Sequence, residues 1–408
     1  MIDPAQLPKL LYFVDFPPSS HGGGESIMSR LLGEYPPGKI IMLVGSKAMR
    51  RISKEGRLAC RYALFPVTSK TGPWGIGRLK ALADYLLLPL LFFLACRLVL
   101  KERIEVILTV AYGHFFIAAA AVSMLVKKPL VVVIHDDWTA TASQGFIPCK
   151  LPYKTVFRWI TRQAAHVYAV SPAMQEWLKE DCGIDAELQP SAVFRYPLNS
   201  CARPVSYHCP RIVYTGSLLW SSLEGLEILL KTLRGNLLGK YGVETWTLDL
   251  YTNLGPLEID RLRRKWSDPR VRFYAWVPES ELPAVLMSAD ILFLPMSFDP
   301  KMEAMVRTSL PAKTADYLAS GKPILVLAPL HSALSRHAMA NGFAEVINHP
   351  EPEALADGLA RILQSAGYRQ ELSCRAQETF LRYHDLQTQR QHLYERLLSV
   401  TRPPCWTP

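Results

Sequence analysis

Residues 307–329, RTSLPAKTADYLASGKPILVLAP, carry the clearest structural signal in this chain. The apolar run at 324–328 predicts a buried strand, and Gly321 with Pro323 just before it predicts the end of a helix. A helix that leads directly into a fully apolar strand is typical of a parallel α/β sheet. The stretch therefore predicts one helix–strand unit of such a sheet.

The start of this helix is predicted to bind an anion. Thr308 or Ser309 is expected to cap it, with Pro311 in its first turn, where no backbone N–H is needed. A helix N-terminus attracts negative charge, and Lys313 adds a cation. Asp316 follows one turn later, and its two oxygens suit a pair of sugar hydroxyls. An exposed lysine on an ordinary helix is the alternative.

The same alternation of apolar strands and helices recurs along the chain. Strands are predicted in the first half at 10–16, 39–45, 104–110, 130–134 and 166–170, and in the second half in the run RIVYTGSLLW from 211 and at 246–253, 271–277, 290–296 and 324–328. The pattern breaks between Arg195 and Arg211, a segment rich in proline and cysteine that we interpret as a linker. The prediction is α/β, with two doubly wound Rossmann-like domains facing each other across a cleft.

Polar residues follow two first-half strands where ligand sites of such sheets lie. His135, Asp136 and Asp137 end the strand at 130–134. The loop PPSSHGGGES, which includes Gly23 and Gly24, leads from the first strand into a helix, and glycines let backbone N–H groups approach a ligand closely.

Composition restricts the class of protein. The 408 residues are 49% hydrophobic, with net charge +10, and residues 1–200 carry 23 Lys and Arg against 15 Asp and Glu. Six cations crowd one segment and are expected either to contact phosphates, as on an anionic membrane, or to form a solvated face: Lys47, Arg50, Arg51, Lys54, Arg57 and Arg61. No nucleic-acid-reading element accompanies them.

Targeting and redox signals are weak. The N-terminus shows no signal-peptide pattern, the apolar run 85–96 is too short to span a bilayer, and the eight cysteines lack zinc or redox spacing. We therefore expect a cytoplasmic protein with reduced thiols, and a peripheral position at the inner membrane face as a further expectation.

The order of these motifs resembles a GT-B-fold glycosyltransferase of the family 4 (group 1) type. The resemblance rests on the two-domain layout, the glycine-rich loop, HDDW, AVSPAMQEWL, YTGSL, SADILFLP and KTADYLASGKP. It implies an N-terminal acceptor-binding domain at 1–198, a C-terminal nucleotide-sugar-binding domain at 211–366, and C-terminal helices at 367–408 that pack back toward the first domain.

The resemblance implies roles for individual donor-side residues. Asp316 would hold the ribose hydroxyls and Lys313 the departing diphosphate, with Arg307 a further cation. The remaining donor-binding residues would be Gly23, Gly24, Gly216, Ser217, Trp276, Val277, Thr308 and Ser309. Two family features are missing: Thr308 stands where the first carboxylate of the motif belongs, and Ser217 stands where an arginine often follows the glycine. Phosphate binding would therefore depend more on the helix at 313.

On the acceptor side, the resemblance implies that His135 lies near the reacting sugar, so His135 and Lys313 are the predicted catalytic residues. Asp136 and Asp137 would hold acceptor hydroxyls, or would cap the next helix. No metal site is expected, since no D-x-D occurs, and the cofactor prediction is none beyond the nucleoside-diphosphate sugar as co-substrate.

The activity implied is transfer of a hexosyl group, with retention, to a saccharide or lipid-linked acceptor in surface polysaccharide or glycolipid biosynthesis. Two alternatives stay open. A nucleotide-sugar epimerase can share this fold, and a non-catalytic binding or scaffold protein would explain the missing carboxylate and cations.

Overall fold

The computed structural model describes residues 2–19, 23–50, 52, 56–66, 86–141, 152–197, 207–218 and 220–402. The chain divides into two compact units. The first unit is Met1–Pro190 together with Gln387–Pro408, and the second unit is Ser191–Leu386. The last stretch of chain therefore belongs to the same unit as the first.

The first unit is built on a seven-stranded parallel sheet. Its strands, in chain order, are β1 (Leu10–Phe13), β2 (Ile40–Gly45), β3 (Arg61–Phe65), β4 (Val106–Val110), β5 (Leu130–Ile134), β6 (His166–Ala169) and β7 (Glu187–Leu188). The spatial order is β3-β2-β1-β4-β5-β6-β7, so the direction of winding reverses between β1 and β4. In β1, β2 and β5 every residue is buried, as expected of strands covered on both faces.

The helices of the first unit follow its strands. They are α1 (Gly23–Leu32), α2 (Ser46–Met49), α3 (Leu88–Lys101), α4 (Phe115–Val126), α5 (Trp138–Thr141), α6 (Tyr153–Gln163) and α7 (Pro172–Trp177). The C-terminal helix α16 (Leu386–Thr401) returns to this unit. Its buried Arg390 donates to the carbonyl of Arg30, the residue next to the buried end of α1.

The second unit holds a six-stranded parallel sheet. Its strands are β8 (Arg211–Thr215), β9 (Thr247–Tyr251), β10 (Val271–Tyr274), β11 (Ile291–Pro295), β12 (Ile324–Leu327) and β13 (Ala344–Ile347). The order β10-β9-β8-β11-β12-β13 reverses between β8 and β11. Successive residues of β8 enter two different apolar clusters, Tyr214 one and Val213 the other, because side chains alternate across a strand. The sheet is thus covered on both faces.

The helices of the second unit cover both faces of its sheet. They are α8 (Trp220–Arg234), α9 (Pro256–Trp266), α10 (Leu282–Met287), α11 (Glu303–Thr308), α12 (Lys313–Ser320), α13 (Ala333–Asn341), α14 (Pro352–Gln364) and α15 (Ala366–Thr379). α13 begins where the Ser332 hydroxyl accepts from the backbone N–H of Ser335, a side-chain cap.

The predicted class, α/β with two doubly wound Rossmann-like sheets, is confirmed. The edge strands β3 and β7 were not predicted from the sequence, and the predicted first strand and the predicted third strand of the second sheet extend beyond Phe13 and Tyr274, where the strands end. β3 is only partly buried, with Phe65 its one buried residue, and it carries Arg61, so it lacks the apolar run that marks the central strands. In the described part of the chain, no helix is long and apolar enough to cross a membrane.

Candidate functional site

Residues 313–327 form helix α12, the glycine that ends it, and strand β12. A turn closed by the Thr314 N–H and the Pro311 carbonyl (2.9 Å) leads into Lys313, the first residue of α12. Gly321 ends the helix with φ +64°, a left-handed conformation that glycine adopts without strain. The helix–glycine–strand prediction is confirmed.

The predicted cap of this helix is wrong. Thr308 is the last residue of α11, where its hydroxyl donates to the carbonyl of Ala304 (2.9 Å), and Ser309 follows it in extended backbone. A threonine hydroxyl that bonds four residues back within its own helix does not cap the next one. Both side chains are buried, and they lie before the turn at Pro311 rather than at the start of α12. Their contact with a diphosphate stays a prediction.

Lys313 reaches the loop that follows β8. Its Nζ donates to the Tyr214 hydroxyl (2.7 Å), which itself donates to the carbonyl of Ser217 (2.8 Å). Gly216 adopts φ +127°, and a Cβ built there would lie 2.8 Å from Nζ. The backbone conformation of the loop therefore requires glycine, and a side chain at this position would displace the amine. The structure brings together Lys313, Gly216 and Ser217, three predicted donor-side residues.

The Lys313 amine has an unusually low pKa. Burial lowers its pKa to about 7, far below the usual 10.5. Its contact is a neutral tyrosine, which does not compensate a buried ammonium as a carboxylate does. An amine that is costly to charge in the folded protein gains most from an anion placed beside it. This environment fits a phosphate-binding lysine.

Asp316 lies one turn further along α12 and is buried. Its Oδ1 accepts from the Tyr196 hydroxyl at 2.8 Å. Ser191, a few residues before Tyr196, donates through its hydroxyl to the carbonyl of Ala312 (2.9 Å). The segment that begins the second unit thus holds α12 at its start and at its carboxylate. The sequence gives no local sign of this, because 120 residues separate Tyr196 from Asp316.

The other predicted donor residues lie at the same edge of the sheet or nearby. Trp276 and Val277 are half-buried in the loop after β10, so their assignment to a strand is wrong. β10 ends at Tyr274, whose ring stacks on Tyr251 with centroids 4.6 Å apart. Arg307 is exposed in the last turn of α11.

In the first unit, the glycine-rich segment and the strand-end histidine meet. Gly23 and Gly24 lie in the first turn of α1 rather than in a loop, which corrects their placement, and Gly22 lies outside the described residues. A Cβ on Gly24 would lie 2.7 Å from Nδ1 of His135. The imidazole is packed against the helix start, and a larger residue at position 24 would displace it.

His135 is neutral in this setting. Burial lowers its pKa to about 4, and the nearby Asp136 opposes the shift only in part. Asp136 is exposed. Asp137 accepts from both the backbone N–H (2.9 Å) and the hydroxyl (2.6 Å) of Thr139, so it caps the short helix α5. Of the two alternatives for Asp137, the capping interaction is present; the acceptor roles stay predictions.

Three residues that were not predicted as site residues lie beside this histidine segment: Asp15, Glu25 and Tyr112. Asp15, just after β1, is buried, and its Oδ2 lies 2.3 Å from where a Cβ on Gly113 would be. Burial raises the pKa of Tyr112, and Asp15, Asp136 and Glu25 add to the shift. The carboxyl ends of β1, β4 and β5 therefore carry an acidic, hydroxyl-bearing surface. The signal was present in the sequence, since Asp15 follows the apolar strand β1 closely, as His135 follows β5.

Part of the basic segment, residues 47–61, makes contacts within the fold. Arg57 donates to the carbonyls of Met49 and Ile52, and Arg61 pairs with Glu102 at 2.8 Å. Lys47 and Arg50 are exposed. Arg51 and Lys54 lie outside the described residues. At least two of the six cations thus have intramolecular partners, which weakens the prediction of a single lipid-facing cluster.

Among the residues that the structure describes, no group of three or more His, Cys, Asp or Glu side chains is arranged to hold a metal ion.

Comparison with known sequences identifies the class. Residues 68–190 match the family described as Glycosyltransferase Family 4, and residues 226–395 match the family described as Glycosyl transferase-like. No curated protein sequence matches the chain.

Solved structures share the fold. Anabaena HepE, solved with UDP and glucose, is 15% identical, with a TM-score of 0.61 over 96% of this chain and 100% of its own. Sucrose-phosphate synthase from Thermosynechococcus elongatus is 16% identical, with a TM-score of 0.68 over 96% and 98%. WaaG, a glycosyltransferase involved in lipopolysaccharide biosynthesis, is 14% identical, with a TM-score of 0.59 over 95% and 99%.

The shared fold and the two family matches define a glycosyltransferase with the GT-B fold. The two matches, one in each half of the chain, support the family 4 (group 1) type of these enzymes.

Proposed function

We propose that this glycosyltransferase moves a hexosyl group from a nucleoside-diphosphate sugar to an acceptor hydroxyl, with the donor on the second unit and the acceptor on the first. The observation that carries the proposal is the Lys313 amine, held against the β8 loop in a setting that favours an added anion, with Asp316 one turn away. HepE, of the same fold, was solved with UDP and glucose, which supports a nucleotide donor.

Lys313 would act on the leaving group. As the glycosidic bond to the phosphate breaks, negative charge grows on the diphosphate oxygens. A phosphate beside Nζ raises the amine's pKa from about 7, so the lysine is charged when the donor is bound. The ammonium then stabilises the departing diphosphate more than the intact donor, which is the requirement for catalysis rather than mere binding. We propose retention of anomeric configuration, as the family resemblance implies.

His135 would orient the reacting sugar. Because burial keeps it neutral above about pH 4, it offers one ring N–H and one acceptor nitrogen rather than a charge. Asp136, exposed beside it, would accept from an acceptor hydroxyl. Glu25 and the exposed Tyr112 would extend the surface available to a saccharide acceptor. We propose that Asp137 contributes by fixing α5 rather than by binding the acceptor.

No metal or other cofactor enters this proposal. The charge that a divalent ion would neutralise falls to Lys313 and to the backbone N–H groups at the start of α12. Activity in the presence of a chelator is the expected result, and loss of activity restored by Mg²⁺ or Mn²⁺ would contradict it.

The biological setting we propose is surface polysaccharide or glycolipid synthesis on the cytoplasmic side of a membrane, with a saccharide or lipid-linked acceptor. WaaG is described as acting in lipopolysaccharide biosynthesis, which supports this class of product. The net charge of +10 suits a peripheral position at an anionic surface.

A donor screen tests the proposal. The protein is incubated with UDP- and GDP-sugars and a panel of lipid-linked and free saccharide acceptors, and products are detected by mass spectrometry. A product one hexose heavier than its acceptor, with the donor's anomeric configuration by NMR, is expected. An epimerised donor formed without acceptor would instead establish the epimerase alternative, and a lack of nucleotide binding would favour a non-catalytic protein.

A further inference from the structure

Helix α3 and the turn before it present an apolar face to solvent that no step of the proposed reaction uses. Five large side chains share this face: Leu86 (72% exposed), Leu90 (47%), Phe93 (62%), Leu94 (41%) and Leu100 (66%). The spacings of three and four residues place them along one side of the helix. The opposite side, with Leu91, Ala95, Cys96 and Val99, is buried in the first unit.

The charges on this face are all of one sign. Arg97 and Lys101 continue the stripe at helical spacing from Phe93, and both are exposed. We call the seven residues Leu86, Leu90, Phe93, Leu94, Arg97, Leu100 and Lys101 the α3 face. No Asp or Glu occurs between 86 and 101.

The neighbouring helix, α4, also exposes apolar side chains next to cations. α4 packs beside α3 and exposes Met124 (47%) and Leu125 (63%) near its end. Lys127 and Lys128 follow directly, and no acidic residue occurs between 113 and 128. Exposed leucines scattered singly are ordinary on a protein surface, but a contiguous apolar stripe mixed with cations is not.

We propose that the α3 face docks on an anionic lipid bilayer, with its apolar side chains in the headgroup boundary and its cations on lipid phosphates. A helix with one apolar, cation-bearing exposed side is the form that lies in a membrane interface. α3, at 14 residues, is too short to span a bilayer. The inference refines the peripheral position proposed above by assigning the contact to α3 instead of the basic segment.

A second copy of the chain fits this face less well. In a two-fold symmetric dimer the same patch meets itself, so Arg97 and Lys101 of both copies would enter one interface with no acidic residue of the α3 face to compensate them. Like charges that lose water at an interface oppose association, whereas lipid phosphates complement them. Lys47 and Arg50, exposed in the same unit, add to the attraction without being part of the face.

Co-sedimentation with vesicles tests the proposal. The full-length protein is mixed with phosphatidylcholine vesicles that contain 30% phosphatidylglycerol (about the charge of an anionic leaflet), or none. Wild type is expected to pellet with the anionic vesicles. The double variant Phe93→Asp/Leu94→Asp should lower the partition coefficient at least about tenfold, and Arg97→Gln/Lys101→Gln should remove most of the preference for anionic lipid.

Leu257→Asp is the matched control, because Leu257 is 85% exposed on α9 of the second unit and lies outside the α3 face. It should bind vesicles as wild type does. Circular dichroism and UDP titration of every variant separate the docking proposal from the proposed function. If the Phe93→Asp/Leu94→Asp variant still binds UDP and still binds vesicles as wild type does, the docking proposal is wrong and the proposed function is unaffected. A wild-type dimer in sedimentation that becomes monomeric in this variant, with no vesicle effect, would assign the face to a second copy. Vesicle-independent capture of an acidic protein would also overturn the lipid proposal.

Discussion

The carboxyl ends of the two sheets carry opposite chemistry. In the second unit, the edge at β8 and α12 holds a half-buried lysine whose pKa has fallen to about 7, so it favours an added anion. In the first unit, the edge at β1, β4 and β5 holds Asp15, Glu25 and Asp136 around Tyr112, and Asp136 also lies beside the neutral His135. Two doubly wound sheets thus present one edge that favours an added anion and one edge that repels anions and suits hydroxyl groups.

This difference supports the division of substrates. A nucleoside diphosphate carries two or three negative charges, and it would be repelled by the acidic edge of the first unit. A saccharide acceptor is rich in hydroxyls, which carboxylates and a neutral imidazole bind as hydrogen-bond acceptors. The fold alone does not distinguish the two edges, so the distinction rests on these side chains.

The largest effect is expected when the cation is removed from the second unit. Lys313→Met should weaken UDP binding by about 3 kcal/mol, or about 100-fold, since it removes a charged hydrogen bond to phosphate. The same change should stabilise the protein by about 1 kcal/mol at neutral pH, because methionine fills the site without a buried charge. Calorimetric titration and thermal denaturation measure the two quantities.

The sign of the stability effect follows from the pKa. The folded state binds fewer protons than the unfolded chain between about pH 7 and 10.5, so the penalty of Lys313 is complete below pH 7 and vanishes above 10.5. The gain from Lys313→Met should therefore shrink as pH rises through this window. Lys231→Met, at an exposed lysine of α8, is the control and should change neither quantity. A destabilised Lys313→Met protein would contradict the account of the amine.

The next effect concerns the first unit. Gly24→Ala would place a Cβ 2.7 Å from the His135 ring, so the imidazole must move. We expect the turnover number to fall about 10- to 100-fold, the range of a misplaced catalytic group, while UDP affinity stays unchanged. Steady-state kinetics and UDP titration measure these.

Gly38→Ala provides the control for this substitution, since nothing lies within 4 Å of a Cβ at that position. It should behave as wild type. If Gly24→Ala weakened UDP binding as strongly as turnover, the separation of roles between the two edges would be wrong.

A smaller effect is expected at the support of Asp316. Tyr196→Phe removes the hydroxyl that donates to Oδ1, and the carboxylate loses one fixed hydrogen bond. UDP affinity should fall about 3- to 10-fold, the value of one hydrogen bond of about 1 kcal/mol. Titration with UDP and with the 2′-deoxy nucleotide checks the mechanism, because the deoxy analogue should lose less affinity in the variant. Equal losses of affinity for the two nucleotides would show that Tyr196 supports the fold and does not act on ribose binding through Asp316.

The sequence predicted the central strands and the helix–glycine–strand unit because those elements are decided by local pattern. A buried parallel strand needs an apolar run, and 130–134 and 324–327 supply one. β3 escaped prediction because an edge strand is half solvated and its sequence, RYALF, alternates only weakly. The helix cap was assigned wrongly because the Thr308 hydroxyl satisfies a carbonyl in its own helix.

The candidate site was predictable where one segment supplies the chemistry, as for Lys313 and Asp316 on α12. It was not predictable where distant segments meet. Tyr196 reaches Asp316 through the tertiary fold, and the effect of Asp15 on Tyr112 depends on the pairing of β1 with β4. The lowered pKa of Lys313 likewise comes from its burial against Tyr214, which no spacing in the sequence encodes.

UDP titration of wild type and Asp316→Ala shows whether the nucleotide binds to the second unit at α12. The account predicts saturable binding by wild type and at least a tenfold loss in the variant (the value of losing a charged hydrogen-bond acceptor), with circular dichroism unchanged; Asp316→Asn, of the same shape, guards against a folding defect. Equal affinity of all three proteins, or no UDP or GDP binding by wild type, would contradict the assignment of the nucleotide to the second unit.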